Sequence, residues 1–316
     1  MNADNFAEWL IRQGHKVLRS TSSYWVELGP GVFQAFPYHW IITPPESELI
    51  QLINDQRAIC LRYSTPLNSP PGMLSYHSVI RDKPYRIEKL SSKSRSKIRR
   101  GLKRCRVQRI SVDTLAEDGW RLQQDTIERQ DRADSMNQHQ WLKICAATKG
   151  LADFDVWAAY VEEQLAATIM TAIVDDVCYL LYHQSHRKYF IDYVNNALCF
   201  ELTQKMLSND KVEQIFYGLH SLDAPASVDE FKFHMGYIAK PVRQRVFFNP
   251  KLSFALNPIS HQLIKLILQS FRGNSSIAKA EGLVRFYIEG KKPLEQQIWP
   301  ENLVDQRDAI LTGLIK

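Results

Sequence analysis

Two stretches of this sequence combine residue types that can do proton or anion chemistry. Residues 216–236 hold Gly218, His220, Asp223, Asp229, Phe231, Lys232 and His234. The run Gly218-Leu219-His220-Ser221 reads as a strand end ahead of a helix, where open α/β sheets place ligands. His220 and Asp223 could exchange a proton with a substrate there. The competing reading makes Phe231 and Met235 helix core and Lys232 an exposed lysine. Residues 93–106 carry eight Lys or Arg, and no acidic residue lies between Lys89 and Ser111. Such a run is a solvated face, a contact for nucleic acid through counterion release, or a grip on a phosphorylated small donor or acceptor by guanidinium forks. Charge alone does not separate the three. No Phe, Trp or Tyr lies between Arg86 and Gly119, so the stacking platform of single-strand binders is missing. His183 and His186 are the only close histidine pair. A metal needs three or four ligands and no Cys or acidic partner is near in sequence, so they read as solvated loop histidines.

These residues need a scaffold, and the hydrophobic pattern supplies one. Residues 153–248 read as three strands, a helix, a strand, a helix and a strand in one mixed sheet, from short β-branched and aromatic runs and from Val194, Leu198, Leu202 and Met206 spaced by four. Upstream, a helix carries Phe6, Trp9 and Leu10 with Asp4 or Asn5 as its cap. Strands 24–28 and 32–36 flank Gly29-Pro30-Gly31, a hairpin signal. A helix over 44–54 and strands at 58–63 and 74–81 follow. The basic helix spans 91–106, with Ile98, Leu102 and Cys105 as its apolar stripe and Ser91 or Ser92 as its cap. Gly101 inside it costs about 1 kcal/mol relative to alanine, so packing must hold it. A strand at 107–110 and helices over 114–132 and 137–148 come next. After residue 248, helices are expected over 259–271, 277–288 and 303–315.

The chain has 316 residues, 45% of them hydrophobic, and a net charge of +6, enough for one large domain or two lobes with real cores. Its five cysteines lack zinc or redox spacing, and an odd number argues against a disulfide framework. Asp4, Glu8 and Arg12 interrupt the first apolar stretch, which excludes a signal peptide, and no run approaches the ~20 apolar residues of a membrane span. The expectation is a cytoplasmic protein without a transmembrane segment. Phosphate-loop, dinucleotide, nucleophile-elbow and HExxH signatures are all absent.

Three motifs in order carry a resemblance. The segment 90–104 (Leu90, Lys93, Arg95, Ile98, Lys103) is similar to the "L..K.R..I..A.K" stretch of the FemAB-like branch of the GNAT acyltransferase superfamily. Glu162-Glu163-Gln164-Leu165-Ala166-Ala167 resembles that family's turn between paired strands. Residues 229–236, with Phe231, Lys232 and Gly236, resemble its closing "l.rFK..fG". The match covers about half the chain. It implies an α/β (α+β) fold with a GNAT-like mixed sheet, two related lobes and a helical C-terminal extension, divided as 1–88, 89–250 and 251–316. The implied activity is transfer of an acyl or aminoacyl group to an amine, on a small molecule or a cell-wall or polysaccharide precursor. No bound cofactor is implied; acyl-CoA is the co-substrate, with aminoacyl-tRNA as the other donor. By this resemblance Lys232 faces the donor carbonyl or a phosphate, and Lys93 and Arg95 hold phosphates. The usual Gly-rich pyrophosphate turn is absent at 184–194, where Asn195 and Asn196 sit at a helix start instead; they and Gly218 are the further donor- or phosphate-binding candidates. His220 is the candidate base by position. The rival readings are a non-catalytic tRNA- or nucleic-acid-binding protein, and a degenerate transferase kept as an assembly or peripheral membrane-surface partner through the apolar helix at 259–271, whose plainer reading is packing on the main domain.

Overall fold

The computed structural model describes residues 1–129, 136–221, 226–270 and 275–315. In chain order, α1 (Ala3–Arg12) is capped by Asn2, whose side chain accepts from the Asn5 N–H. The helix starts earlier than Asp4 or Asn5 would allow, because Ala3 is already buried in it. A short β1 (Val17–Arg19), not evident in the sequence, precedes the expected hairpin of β2 (Tyr24–Gly29) and β3 (Val32–Phe36). Then come α2 (Glu46–Gln56), β4 (Cys60–Thr65), β5 (Met73–Ile80) and the basic helix α3 (Ser92–Arg104). Ser91 caps α3 as expected, accepting from the Ser94 N–H, and α3 runs straight into β6 (Cys105–Ile110).

One helix was expected over 114–132. The described part contains two, α4 (Val112–Asp118) and α5 (Trp120–Arg129), broken at Gly119. A side chain at Gly119 would lie 2.4 Å from the Leu115 carbonyl oxygen, so the chain can tighten there only because the residue is glycine. Next are α6 (Gln138–Ala146), β7 (Phe154–Val161), β8 (Gln164–Val174), β9 (Val177–Ser185), a 3-10 turn at Arg187–Asp192, α7 (Val194–Leu207), β10 (Gln214–Leu219), α8 (Ala226–His234) and β11 (Ile238–Phe248). This is the expected succession. The tail holds α9 (Pro250–Ser253), α10 (Pro258–Ser270), α11 (Ser275–Gly290) and α12 (Arg307–Leu311). The helix expected over 303–315 is instead a 3-10 segment, Glu301–Gln306, and the short α12, with Gly313 at φ +72 just beyond it.

The chain forms two compact units. The first comprises Met1–Gln13, Ser78–Gly218 and Pro225–Ile238; the second comprises Gly14–His77, Leu219–Ala224 and Ala239–Lys316. In the first, strands lie in the order β10-β9-β8-β7-β6. Neighbours from β6 to β9 are antiparallel and β10 is parallel to β9, which makes the sheet mixed. Its core gathers Ile98, Ile169, Leu198, Leu202, Met206 and Met235. In the second, the order β1-β2-β3-β4-β11 is also mixed, with β3 parallel and β11 antiparallel to β4. Trp25, Phe33, Leu49, Ile53 and Tyr63 form one of its cores; Val246, Leu283, Val284 and Phe286 form another.

Gly101 shows why packing must hold α3. A Cβ there would sit 2.7 Å from the Tyr193 carbonyl oxygen and 3.0 Å from the Ala197 Cβ, so α3 crosses the start of α7 on this glycine. Alanine gains about 1 kcal/mol in helix propensity, yet overpacking against backbone costs about 1–3 kcal/mol. Gly101→Ala is therefore expected to lower stability by about 1 kcal/mol, read as a lower urea midpoint. A higher midpoint would mean the crossing can open.

Candidate functional site

The site begins with a backbone feature. β9 and β10 are parallel neighbours, but their pairing runs only from Val177↔Gln214 to Tyr179↔Phe216. β9 continues to Ser185 and β10 to Leu219 without pairing to each other. Two local features accompany the parting. The β8–β9 register shifts between Met170 and Thr171, which face Tyr182 and Leu180, so Leu181 is bulged and β9 bends. Gly218, near the end of β10, has φ +149, a conformation open to glycine, with nothing within 4 Å of where a Cβ would stand. Parallel strands that separate at their carboxyl ends make the crevice in which open α/β sheets bind ligands.

His183 on β9 and Tyr217 on β10 bridge this opening by a hydrogen bond between Nδ1 and the phenol. His183 Nε2 lies 3.1 Å from Asn195 Oδ1, and Asn195 Nδ2 donates to Ser185 Oγ at 3.1 Å. An amide oxygen only accepts, so Nε2 carries the imidazole proton and Nδ1 is left to accept from Tyr217. The chain of donors therefore runs Tyr217 to His183 to Asn195 to Ser185. Burial pushes the His183 pKa down to about 4, helped by the Arg129 cation and opposed by the Asn195 hydrogen bond. Burial, with a smaller contribution from Cys199, lifts Tyr217 well above the ordinary phenol value. Both groups are neutral at neutral pH. His183 is thus not the solvated loop histidine its spacing suggested; β9 extends further than the polar run at 183–186 implied.

Lys232 lies beside the same phenol. Its ammonium is 5.3 Å from the centre of the Tyr217 ring, and Nζ lies 2.6 Å from Asp229 Oδ1. Lys232 is only 8% exposed, so it does not reach a solvent edge as the bland reading required. The i, i+3 spacing on α8 sets the carboxylate one turn back on the same face and holds the ammonium down. Phe231 packs partly into the core with its ring 5.9 Å from His183, and Met235 is fully buried, as expected. Gly236, at φ +86, follows the helix.

The other sequence candidates fall in several places. Asn195 and Asn196 are in the first turn of α7, whose N-cap residue Tyr193 offers no side-chain cap. Asn195 serves the His183 chain, while Asn196 Nδ2 points at Met235 Sδ, 3.6 Å away. Lys93 is exposed in the first turn of α3. Arg95 is tied down instead, donating to the carbonyls of Leu90 at 2.9 Å and Glu88 at 3.4 Å. Further along α3, Arg100 donates to the Tyr193 hydroxyl and Arg104 pairs with Asp192 at 3.0 Å, so part of the basic run fixes the segment that leads into α7. His220 belongs to the second unit. Its ring stacks on Tyr76 with centroids 4.5 Å apart, and its backbone carbonyl accepts from Arg62. Asp223 lies outside the described residues. His186 Nδ1 accepts from the Lys188 N–H at the 3-10 turn. Among the described residues no cluster of three or more His, Cys, Asp or Glu could hold a metal ion.

Sequence reasoning missed Tyr217 and the role of His183. A polar aromatic directly before a strand-end glycine was the available signal for Tyr217. The pair itself joins residues on two strands with a helix between them, and no spacing rule reports that.

No family model and no curated protein sequence matches this chain. Solved structures do. FemX superposes over 78% of this chain and 92% of its own, at 10% identity and a TM-score of 0.54. The C-terminal domain of a protein named as a lysylphosphatidylglycerol synthetase, from Agrobacterium fabrum, covers 81% of this chain and 90% of its own, at 10% identity and 0.50. A conserved protein of unknown function from Bacteroides thetaiotaomicron covers 76% and 87%, at 9% identity and 0.50. The likeness is one of fold: the chain has a FemX-like mixed α+β fold.

Proposed function

We propose that this chain is an N-acyltransferase that moves an acyl or aminoacyl group from an acyl-CoA-like donor to an amine on a small molecule or a cell-wall or polysaccharide precursor. The observation that carries this reading is the parting of β9 and β10 after Tyr179 and Phe216, with a neutral phenol–imidazole pair across the gap. The uncapped first turn of α7 follows β9 and suits a donor phosphate, because helix N-terminal N–H groups attract anions.

In the proposed reaction the amine attacks the acyl carbon, a C–N bond forms, and the C–S or C–O bond to the donor breaks. The amine gives up one proton and the leaving thiolate or alkoxide takes one. Tyr217 hands its proton to the leaving group, and its phenolate is reprotonated by the proton released from the amine. Before the step His183 Nδ1 accepts the phenol's one proton and so orients the hydroxyl; the O–H turns from Nδ1 to the leaving group to deliver it, and the bond to Nδ1 re-forms when the phenolate is reprotonated. Lys232, braced by Asp229, meets the negative charge that develops on the carbonyl oxygen. We assign the proton transfer to Tyr217 rather than to His220, since the latter's ring is stacked on Tyr76.

A second reading rests on the exposed lysines and arginines of α3, among them Lys93, Arg99 and Lys103, which favour a polyphosphate donor such as aminoacyl-tRNA or a purely nucleic-acid-binding role. A thermal-shift series with CoA, acetyl-CoA, longer acyl-CoAs and aminoacyl-tRNA separates them. A ligand at about 100 times its dissociation constant adds about 2.7 kcal/mol, which raises the midpoint by a few degrees. Stabilisation by an acyl-CoA supports the lead reading. Steeply salt-dependent RNA binding with no turnover of any donor would replace it with the second.

A further inference from the structure

We infer that α9 and α10 form a docking surface for an anionic lipid bilayer. α10 carries two apolar faces. Its inner face sends Ile264 into the core of Val246, Leu283 and Phe286, and His261 on that side pairs with Glu281 at 2.7 Å. Its outer face presents Ile259, Leu263, Leu266 and Ile267, spaced i, i+4, i+7 and i+8 on one side of the helix, all exposed. Ile259 is 72% exposed, and Phe254, at the end of α9, is 82% exposed. A continuous stripe of large apolar side chains on a folded surface marks a place that something covers.

Charge identifies the cover. Between Glu230 and Glu281 the sequence has no aspartate or glutamate. Lys251 on α9, Lys265 on α10 and Lys279 on α11 are exposed. The two nearest carboxylates of α11 are withdrawn: Glu281 is buried against His261 and Arg285, and Glu289 is buried against Lys292. α9–α11 therefore combine an exposed apolar stripe with three exposed lysines and no exposed carboxylate, the composition of a surface that lies in the headgroup layer of an anionic membrane. A second copy of this chain would bring an equally basic face, on a molecule of net charge +6, and like charges disfavour that contact. At 13 residues α10 is too short to span a bilayer, so it lies on the surface.

The test is flotation of the full chain with vesicles of phosphatidylcholine alone or with about one-third phosphatidylglycerol. Binding is read without a substrate, so it stands or falls independently of acyl transfer. The wild type is expected to float with the anionic vesicles and to release as salt rises to about 0.5 M. Combined Ile259→Ser, Leu263→Ser and Leu266→Ser should lose binding by about tenfold or more with an unchanged melting temperature, since these side chains are exposed. Combined Lys251→Ala, Lys265→Ala and Lys279→Ala, which leaves the apolar stripe intact, should lose on the order of 100-fold on anionic vesicles alone, about fivefold for each charge. Equal flotation with both vesicle types, unchanged binding by the lysine variant, or a concentration-dependent dimer that Leu263→Ser dissolves would each overturn the assignment.

Discussion

Tyr217→Phe is expected to keep the fold and lower turnover of the acyl donor by about 100-fold or more, the usual scale for a positioned proton-transfer group. The substitution removes one oxygen and leaves the ring its contacts with Lys232 and Tyr237. The loss should fall in kcat rather than KM, because the hydroxyl acts on the leaving group and not on ground-state binding. Lys232→Ala should also cost about 100-fold, as one lost oxyanion contact does, but it is the less clean test. It strips the ammonium from the buried Asp229 carboxylate, and breaking a buried pair costs about 3–5 kcal/mol of stability. Lys232→Arg should rescue only in part, since a guanidinium does not reproduce the compact ammonium. A Tyr217→Phe enzyme that turns over donor and amine at the wild-type rate would remove the phenol from the chemistry.

Acid is expected to destabilise the second unit through His77. This residue is 1% exposed and bonded through Nε2 to Ser64 Oγ at 2.8 Å. Burial first, then the nearby Lys240, His39 and Arg62, push its pKa down to about 3. The unfolded chain binds a proton on this ring below its ordinary pKa of about 6.5, and the folded chain does not. Stability is therefore complete above about pH 6.5 and falls with pH through the window from about 6.5 to about 3, by roughly 2.5 kcal/mol at about pH 4.5. His183, at about 4, adds a change of the same sign in the first unit. Urea midpoints measured at about pH 7 and about pH 4.5 check this. His77→Gln should flatten the pH dependence even where it lowers the neutral-pH midpoint; two parallel pH profiles would clear His77 of the effect.

What the sequence made legible depended on how local the deciding physics is. β11 reads correctly over Ile238–Phe248 and α3 starts after Ser91, because strand character and a capping hydroxyl are written within a few residues. Gly101 was legible as a cost but not as a reason, since the Tyr193 carbonyl it clears is remote in sequence. The break at Gly119 lay hidden inside an apolar periodicity that continues across it. In the site, Lys232 and its neighbours on α8 stand in a local motif, and the hold of Asp229 on Lys232 follows from their i, i+3 spacing. The His183–Tyr217 pair was out of reach, because only the parting of β9 from β10 brings it about.

The antiparallel pairing of β4 with β11 also sets a timetable for synthesis. Thr65 meets Arg243 and Cys60 meets Phe248, so the edge of β4 that β11 covers is finished by residues translated long afterwards. At about 5–20 residues per second, that edge waits roughly 10–40 s on the ribosome. Its unpaired N–H and C=O groups form a template for any extended chain nearby during that interval. A nascent chain stalled before Ile238 therefore carries this edge of β4 uncovered, and a pause in translation there is expected to lower the yield of folded protein.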